Sequence, residues 1–105
     1  MIAKTLEPPY YAVIFTSLRT EGDNGYAATS KRMDELAELA PGFLGQETVR
    51  GDLGVSISYW KDVESIVKWK QQAEHIVAQQ MGKEKWYTHY KVRIAKVERD
   101  YQFIK

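Results

Sequence analysis

The spacing of hydrophobic positions changes repeatedly along the chain, and each change predicts a new element of secondary structure. Residues 10–18 are mostly aromatic or β-branched, which is typical of a well-buried strand. After a turn-rich stretch, apolar residues recur every three or four positions, which predicts a helix that ends at Pro41 and Gly42. Residues 43–49 and 55–60 then predict two strands, joined by a Gly-Asp-Leu-Gly hairpin link.

A second helix and a final strand complete the pattern. Asp62 is a suitable N-cap for a helix whose apolar positions continue to about residue 81, and Gly82 ends it. Residues 86–97 are again aromatic and β-branched, and we expect a strand there. The order β-α-β-β-α-β predicts an α+β, ferredoxin-like fold with an antiparallel sheet and both helices on one face of it.

The last predicted strand alternates between two kinds of residue, so its two sides differ in character. Alternation with period two places one set towards the core or a partner and the other set on a polar side. The first set is Trp86, Tyr90, Val92 and Ile94, and the second is Tyr87, His89, Lys91 and Arg93. His89 is therefore expected to be exposed or interfacial.

Residues 1–105 are expected to form a single domain, with 1–9 as an extended lead-in because Pro8 and Pro9 lack an amide hydrogen. Two helices cover only one side of a four-stranded sheet. The other side would expose apolar surface, and the same sheet of a second copy is the simplest cover for it. The pattern therefore predicts a homodimer of the dimeric α/β-barrel type.

Charge and cysteine content narrow the classes of partner and cofactor. The chain has 15 Lys and Arg against 14 Asp and Glu, a net charge of +1, without a clustered basic patch, so we expect no nucleic-acid partner. With no cysteine and two histidines, we expect no metal site. The start lacks the apolar core of a signal peptide, and no apolar run is long enough to span a bilayer. We therefore expect a cytoplasmic protein without membrane contact.

Trp69 and His75 are the candidate functional residues of the second helix. Trp69 lies on the apolar stripe, where it either packs on the sheet or borders a ligand pocket. His75 titrates near neutral pH and is a candidate base. At about 100° per residue, an unbroken helix directs His75 towards solvent or a partner chain, and only a break near Gln71 and Gln72 turns it towards a pocket. Gln79, about 80° from Trp69, is the alternative.

Sequence blocks spread over almost the whole chain resemble one known family. They are, in order, Pro8-Pro9-Tyr10-Tyr11-Ala12-Val13-Ile14-Phe15, Pro41-Gly42-Phe43-Leu44-Gly45, Ile57-Ser58-Tyr59-Trp60, Trp69-Lys70, His75, Ala78-Gln79, Gly82, Trp86-Tyr87, Val97-Glu98-Arg99 and Tyr101. Their order and spacing are similar to the antibiotic biosynthesis monooxygenases, in the branch of small single-domain bacterial proteins. The resemblance implies a ferredoxin-like homodimer that closes into a β-barrel.

The resemblance also implies an oxygen-using reaction that needs no metal, flavin or haem. A base removes a proton from a phenol- or anthrone-type ring, and the resulting anion reduces dioxygen directly. We therefore interpret the chain as a cofactor-independent monooxygenase-like protein acting on a small quinol- or anthrone-type compound. Phe15, Trp60 and Trp69 would line the site, with His75 or Gln79 handling the proton. Because the sequence shows no complete catalytic constellation, a non-catalytic homodimer that binds a small hydrophobic molecule is the alternative.

One departure from the superfamily pattern disfavours haem degradation. The haem-degrading branch has an Asn on the first strand, a Trp on the second helix and a His ten residues after that Trp. Trp69 matches the Trp, but residues 13–18 include no Asn, and Gln79 stands at the His position. Since an amide cannot replace imidazole as an axial iron ligand, we expect no haem.

Overall fold

A computed structural model describes residues 2–105, so Met1, the first residue of the predicted lead-in, lies outside it. Residues 2–9 form neither helix nor strand. The elements that follow are β1 (Tyr10–Arg19), α1 (Tyr26–Leu39), β2 (Phe43–Arg50), β3 (Gly54–Trp60), α2 (Val63–Lys70), α3 (Ala73–Met81) and β4 (Tyr87–Val97). A π-helical turn, Gly82–Trp86, joins α3 to β4. None of the helices in the described residues has the length and apolar character needed to cross a bilayer.

The four strands form one antiparallel sheet in the order β2-β3-β1-β4. The two central strands, β3 and β1, are adjacent in the sheet although α1 and β2 separate them along the chain. This is the strand order of a ferredoxin-like fold. The predicted α+β architecture is confirmed.

The predicted second helix is two helices, which corrects the expectation of one helix up to residue 81. Gln72 has extended backbone angles, φ −62° and ψ 133°, and its side-chain Oε1 accepts a hydrogen bond from the His75 amide at 2.8 Å. Gln72 thus acts as the N-cap of α3, in the way that short polar side chains usually do. The break lies between Lys70 and Ala73, at the position on which the orientation of His75 depends.

A β-bulge in β4 changes which residues share a side of the sheet. The register of β1 and β4 shifts between Leu18 and Arg19, so Arg19 pairs with Tyr87 while Ser17 pairs with Tyr90. Because a bulge adds one residue to one strand, Tyr87 and Tyr90 lie on the same side. Strict alternation had placed them on opposite sides, and that expectation is wrong for Tyr87.

The sheet has a helix side and an open side, which strand register and alternation assign. Trp60 of β3 packs against Trp69 of α2, so its parity marks the helix side. The helix side carries Tyr11, Val13, Phe15 and Ser17 of β1 and Gly54, Ser56, Ser58 and Trp60 of β3. The open side carries Ile14, Leu18, Val49, Val55 and Ile57. Among residues 2–105, no helix covers the open side.

The chain termini close one end of the open side. The Ala3 amide donates to Glu47 Oε2 at 2.9 Å, and the Tyr59 hydroxyl donates to Glu47 Oε1 at 2.6 Å. The Tyr10 hydroxyl donates to Asp100 Oδ2 at 2.5 Å. The bonds from the Tyr59 hydroxyl and the Ala3 amide lower the pKa of Glu47, and burial together with the Glu47 carboxylate raises the pKa of Tyr59 to about 12. Further along this side, Leu18 and Val49 are exposed.

Asp62 and Gly42 together fix the start of α2. Asp62 is the N-cap that the sequence predicted, because its Oδ1 accepts from the Ser65 amide at 2.8 Å and from the Ser65 hydroxyl at 2.7 Å. Gly42 lies directly against that hydroxyl with φ 85°, so a Cβ there would overlap the Ser65 side chain. The Gly42 carbonyl also accepts from the Lys61 amide at 2.8 Å. The loop before β2 is thereby tied to the helix that carries Trp69.

Candidate functional site

Three of the predicted site residues form one stack on the helix side. The rings of Trp60 and Trp69 stack with centroids 6.0 Å apart, and those of Trp69 and His75 stack at 4.5 Å. Trp60 has no exposed surface, and its indole N–H donates to Ser58 Oγ at 2.9 Å. Trp69 is only half-buried. Trp60 therefore supports Trp69 from beneath, and Trp69 presents the surface that a ligand could touch.

The His75 imidazole is fixed in one orientation by a backbone carbonyl. Its Nδ1 lies 2.9 Å from the Trp69 carbonyl oxygen, which accepts but cannot donate, so Nδ1 carries a hydrogen. In the neutral ring, Nε2 then keeps a free lone pair. Burial lowers the pKa of His75 and the positive charge of Lys70 adds to this, while the Trp69 carbonyl opposes it. At neutral pH this ring is an uncharged base.

Gln79 lies at the junction of the two helices. Its amide nitrogen donates to the Lys70 carbonyl at 3.2 Å, near the C-terminal end of α2. This bond satisfies one of the carbonyls that a helix end leaves unpaired. The Gln79 amide is thus engaged in holding α3 against α2, and His75 is the better placed of the two predicted proton-handling residues.

Trp69 also lines a groove between α1 and α2. The groove has a volume of about 250 Å³. Its lining residues are Leu36, Leu39, Ala40, Pro41, Ser65, Lys68, Trp69 and Gln72. Most of this surface is apolar, with a few polar groups, as small-molecule sites commonly are.

A larger groove of about 420 Å³ lies between α1 and α3. The ion pair of Arg32 and Glu74, with Nε and Oε2 3.0 Å apart, is part of its lining, and Trp86 lies at its edge. None of the predicted site residues lines this groove. The stack of Trp60, Trp69 and His75 does not extend into it.

Phe15 is separate from the tryptophan and histidine stack. Trp60 pairs with Tyr11, and Phe15 lies four residues further along β1, about 13 Å away at the usual strand rise. The Phe15 ring instead stacks on Tyr90 at 5.2 Å and meets the edge of Tyr87 at 5.3 Å. The five predicted site residues therefore do not form one pocket.

Sequence reasoning missed the arginines beside Phe15. Arg50 Nη2 donates to Ser17 Oγ at 2.6 Å, and the Arg19 guanidinium lies 3.4 Å above the centroid of the Tyr26 ring. Arg50 is directly opposite Gly54 in the register of β2 and β3. An arginine facing a glycine across a strand pair is a recognisable signal, but only once the register is known.

Comparisons with known proteins give a close sequence relative and many structural neighbours. No protein-family model matches it. The chain is 47% identical over 104 residues to the uncharacterised protein YqjZ of Bacillus subtilis strain 168. The match covers 97% of this chain and 91% of YqjZ.

Three solved structures illustrate the likeness in fold. SnoaB, a cofactor-independent oxygenase from Streptomyces nogalater, has a TM-score of 0.74 at 10% identity, covering 87% of this chain and 95% of SnoaB. An antibiotic biosynthesis monooxygenase has a TM-score of 0.72 at 11% identity, covering 85% and 99%. Protein PA3566 of Pseudomonas aeruginosa has a TM-score of 0.71 at 14% identity, covering 91% and 99%. At such identities the likeness concerns the fold.

Proposed function

Since this chain belongs to the same family as YqjZ and has the fold of the antibiotic biosynthesis monooxygenases, we propose that it is a cofactor-independent monooxygenase-like protein acting on a small aromatic compound. The observation that carries the proposal is the fixed imidazole of His75 stacked on Trp69. Because Nδ1 is held by a carbonyl, Nε2 is the atom that accepts the substrate proton. Trp69 lines the groove between α1 and α2 in which the aromatic ring would bind.

The reaction begins with proton transfer from the ring to His75 Nε2. The Trp69 and His75 rings are 4.5 Å apart, so a ligand at the edge of the Trp69 indole that faces His75 would lie near the imidazole. The anion left on the substrate donates electrons to dioxygen. In an anthrone, a ring methylene and one dioxygen become a ring carbonyl and one water, so the substrate loses the four electrons that dioxygen gains. The electrons come from the substrate itself.

An oxygen electrode with a panel of quinols and anthrones tests this function. We expect uptake from at least one compound, and His75→Gln should slow it by about 100-fold or more, as the loss of a general base does. His89→Gln is the matched control, because it changes the other histidine, on the open side. Absence of uptake above background from every compound, or equal loss in both variants, would contradict the proposal.

A non-catalytic binding protein is the second candidate function. It is favoured because the Gln79 amide is bonded to the Lys70 carbonyl. Of the two predicted proton-handling residues, His75 alone then keeps a free site for a proton. A binder would keep its affinity for a quinol in His75→Gln and consume no oxygen. An enzyme would bind the same quinol and lose turnover in that variant.

We also propose that the protein is a homodimer joined through the open side of the sheet. Leu18 and Val49 are exposed there, and Ile14, Val55 and Ile57 are only partly covered. The tail after β4 adds three apolar side chains that are almost fully exposed, Tyr101, Phe103 and Ile104. Exposed apolar side chains on a sheet face without covering helices are typical of an interface.

A further inference from the structure

Arg50 extends over the helix side of the sheet, where Gly54 leaves room for it. A Cβ at Gly54 would overlap the Arg50 guanidinium, so the guanidinium occupies the space that a side chain would fill. From there, Nη2 reaches across to Ser17 Oγ on β1, at 2.6 Å. Ser17 is only 2% exposed, so the hydroxyl that positions Arg50 is itself rigidly held.

The Arg50 charge has no acidic partner within residues 2–105. The two ion pairs of this part of the chain are Arg32 with Glu74 and Lys68 with Glu64. A guanidinium has five N–H donors, and the bond to Ser17 uses one of them. The remaining donors suit the two oxygens of a carboxylate, which a guanidinium binds through parallel hydrogen bonds.

A second guanidinium adds to the positive charge of this region. Arg19 Nε donates to the Trp86 carbonyl at 3.0 Å, and its Nη2 donates to the Gly22 carbonyl at 3.3 Å, so Arg19 is held in place. Burial and the Tyr26 hydroxyl raise the pKa of Tyr87, while the charges of Arg19 and Arg50 both oppose that rise. Both arginines therefore act on the same phenol, and an anion beside it would feel both.

An aromatic wall borders the Arg50 donors. Phe15 and Ser17 lie two residues apart on the same side of β1, about 7 Å at the usual strand rise. Phe15 stacks on Tyr90 with an angle of 28° between the rings, and Tyr90 pairs directly with Ser17. An aromatic acid combines the two groups that this surface would bind, a flat ring and a carboxylate attached to it.

We propose that Arg50 and Ser17 bind the carboxylate of an aromatic ligand whose ring packs against Phe15 and Tyr90. This site goes beyond the proposed oxygenase function and does not need proton transfer at His75. It lies at the other end of the helix side from Trp60. Its ligand class is a monocyclic or fused-ring aromatic carboxylate.

Isothermal titration calorimetry with naphthalene carboxylate and the corresponding neutral carboxamide tests the site. We expect the carboxylate to bind more tightly than the carboxamide and Arg50→Gln to weaken carboxylate binding about tenfold, since it removes charge-assisted hydrogen bonds. Affinity for the carboxamide should change less than about twofold. Lys31→Gln on the exposed surface of α1 removes the same charge and should leave both affinities unchanged.

Gly54→Ala gives a second test that keeps every charge. Its methyl group displaces the Arg50 guanidinium, which is the mobile end of a flexible side chain, so the fold should survive. We expect it to weaken carboxylate binding as Arg50→Gln does, with an unchanged circular dichroism spectrum.

Three results would overturn the proposal: no binding of the carboxylate, equal loss for carboxylate and carboxamide in Arg50→Gln, or equal loss in Lys31→Gln. Oxygen uptake plays no part in this assay. Carboxylate binding that persists in His75→Gln would support this site even if the oxygenase proposal fails.

Discussion

His75 is the side chain on which the proposed proton transfer depends, and burial against Trp69 sets its titration. Because the pKa of His75 is lowered from 6.5, we expect its midpoint in a proton NMR titration to lie below that value. The His75→Gln and His89→Gln variants assign the two imidazole resonances. A His75 midpoint at or above 6.5 would contradict the buried, neutral ring.

The same lowered pKa affects stability. Below pH 6.5 the unfolded chain binds a proton that the folded His75 resists, so the free energy of unfolding should decrease as the pH falls through this window. Well above pH 6.5, where His75 is neutral in both the folded and the unfolded chain, it contributes no pH dependence. His75→Gln should remove this part of the slope in urea melts, whereas His89→Gln should retain it.

Residue types and the family resemblance together identified Trp60, Trp69 and His75, which the fold does bring together. They could not place Phe15 or reveal Arg50. Phe15 lies on the same side of the sheet as Trp60. The alternation of residues that predicts a shared side does not predict how far apart two residues are along the strands. Arg50 reads as an ordinary solvated charge until the register puts Gly54 opposite it.

At the scale of elements, Gly42 tests how closely the loop before β2 must approach α2. Gly42→Ala should reduce the free energy of unfolding by about 3 kcal/mol, because it adds both a left-handed backbone penalty and a clash with Ser65. Gly51→Ala is the control, because a Cβ there meets nothing within 4 Å, and its cost should be about 0.5 kcal/mol or less. Urea unfolding measures both. Equal costs would show that the contact with Ser65 is not needed.

The junction between α2 and α3 depends on the Gln72 side chain. Gln72→Ala removes the acceptor of the His75 amide and should cost about 1 kcal/mol, the usual effect of losing an N-cap. It should also shift the His75 midpoint towards 6.5, because a frayed α3 exposes the ring. Gln80→Ala, which breaks an exposed bond to Glu84, is the control and should do neither. Thermal melts and NMR titration report the two effects separately.

Helical periodicity found the apolar positions of α2 and α3 but could not find the break between them. Gln71 and Gln72 fit an unbroken helix by propensity. The break arises from a side-chain-to-backbone bond that competes with the helical one, which a hydrophobic pattern does not encode. Strand positions were easier, because aromatic and β-branched runs bounded by Gly and Pro mark them directly. The hydrophobic pattern also could not predict the bulge in β4, because a bulge is defined by how β4 pairs with β1.

For the whole molecule, the strand order and the family resemblance agree. The resemblance to the antibiotic biosynthesis monooxygenases is confirmed at the level of the fold by SnoaB and the other neighbours. The order of elements was predictable because each element has its own hydrophobic period. The distribution of charge over the open side was harder to predict from the sequence than the order of elements. Lys91 and Arg93 of β4 lie on the same side as Ile14 and Ile57, so the surface left for a partner is apolar at its centre and basic along one edge.

The homodimer proposal predicts that a lysine at the centre of the open side separates the two copies. Ile57 pairs with Ile14 in the middle of that side, so Ile57→Lys would bury an unpaired ammonium in the interface. We expect the dimer dissociation constant in sedimentation to rise by at least about tenfold, equivalent to about 1.4 kcal/mol. Ile76→Lys makes the same change on the exposed surface of α3 and should leave the dimer intact. A wild-type protein that sediments as a single chain at micromolar concentration, or dissociation caused by Ile76→Lys alone, would rule out pairing through the open side.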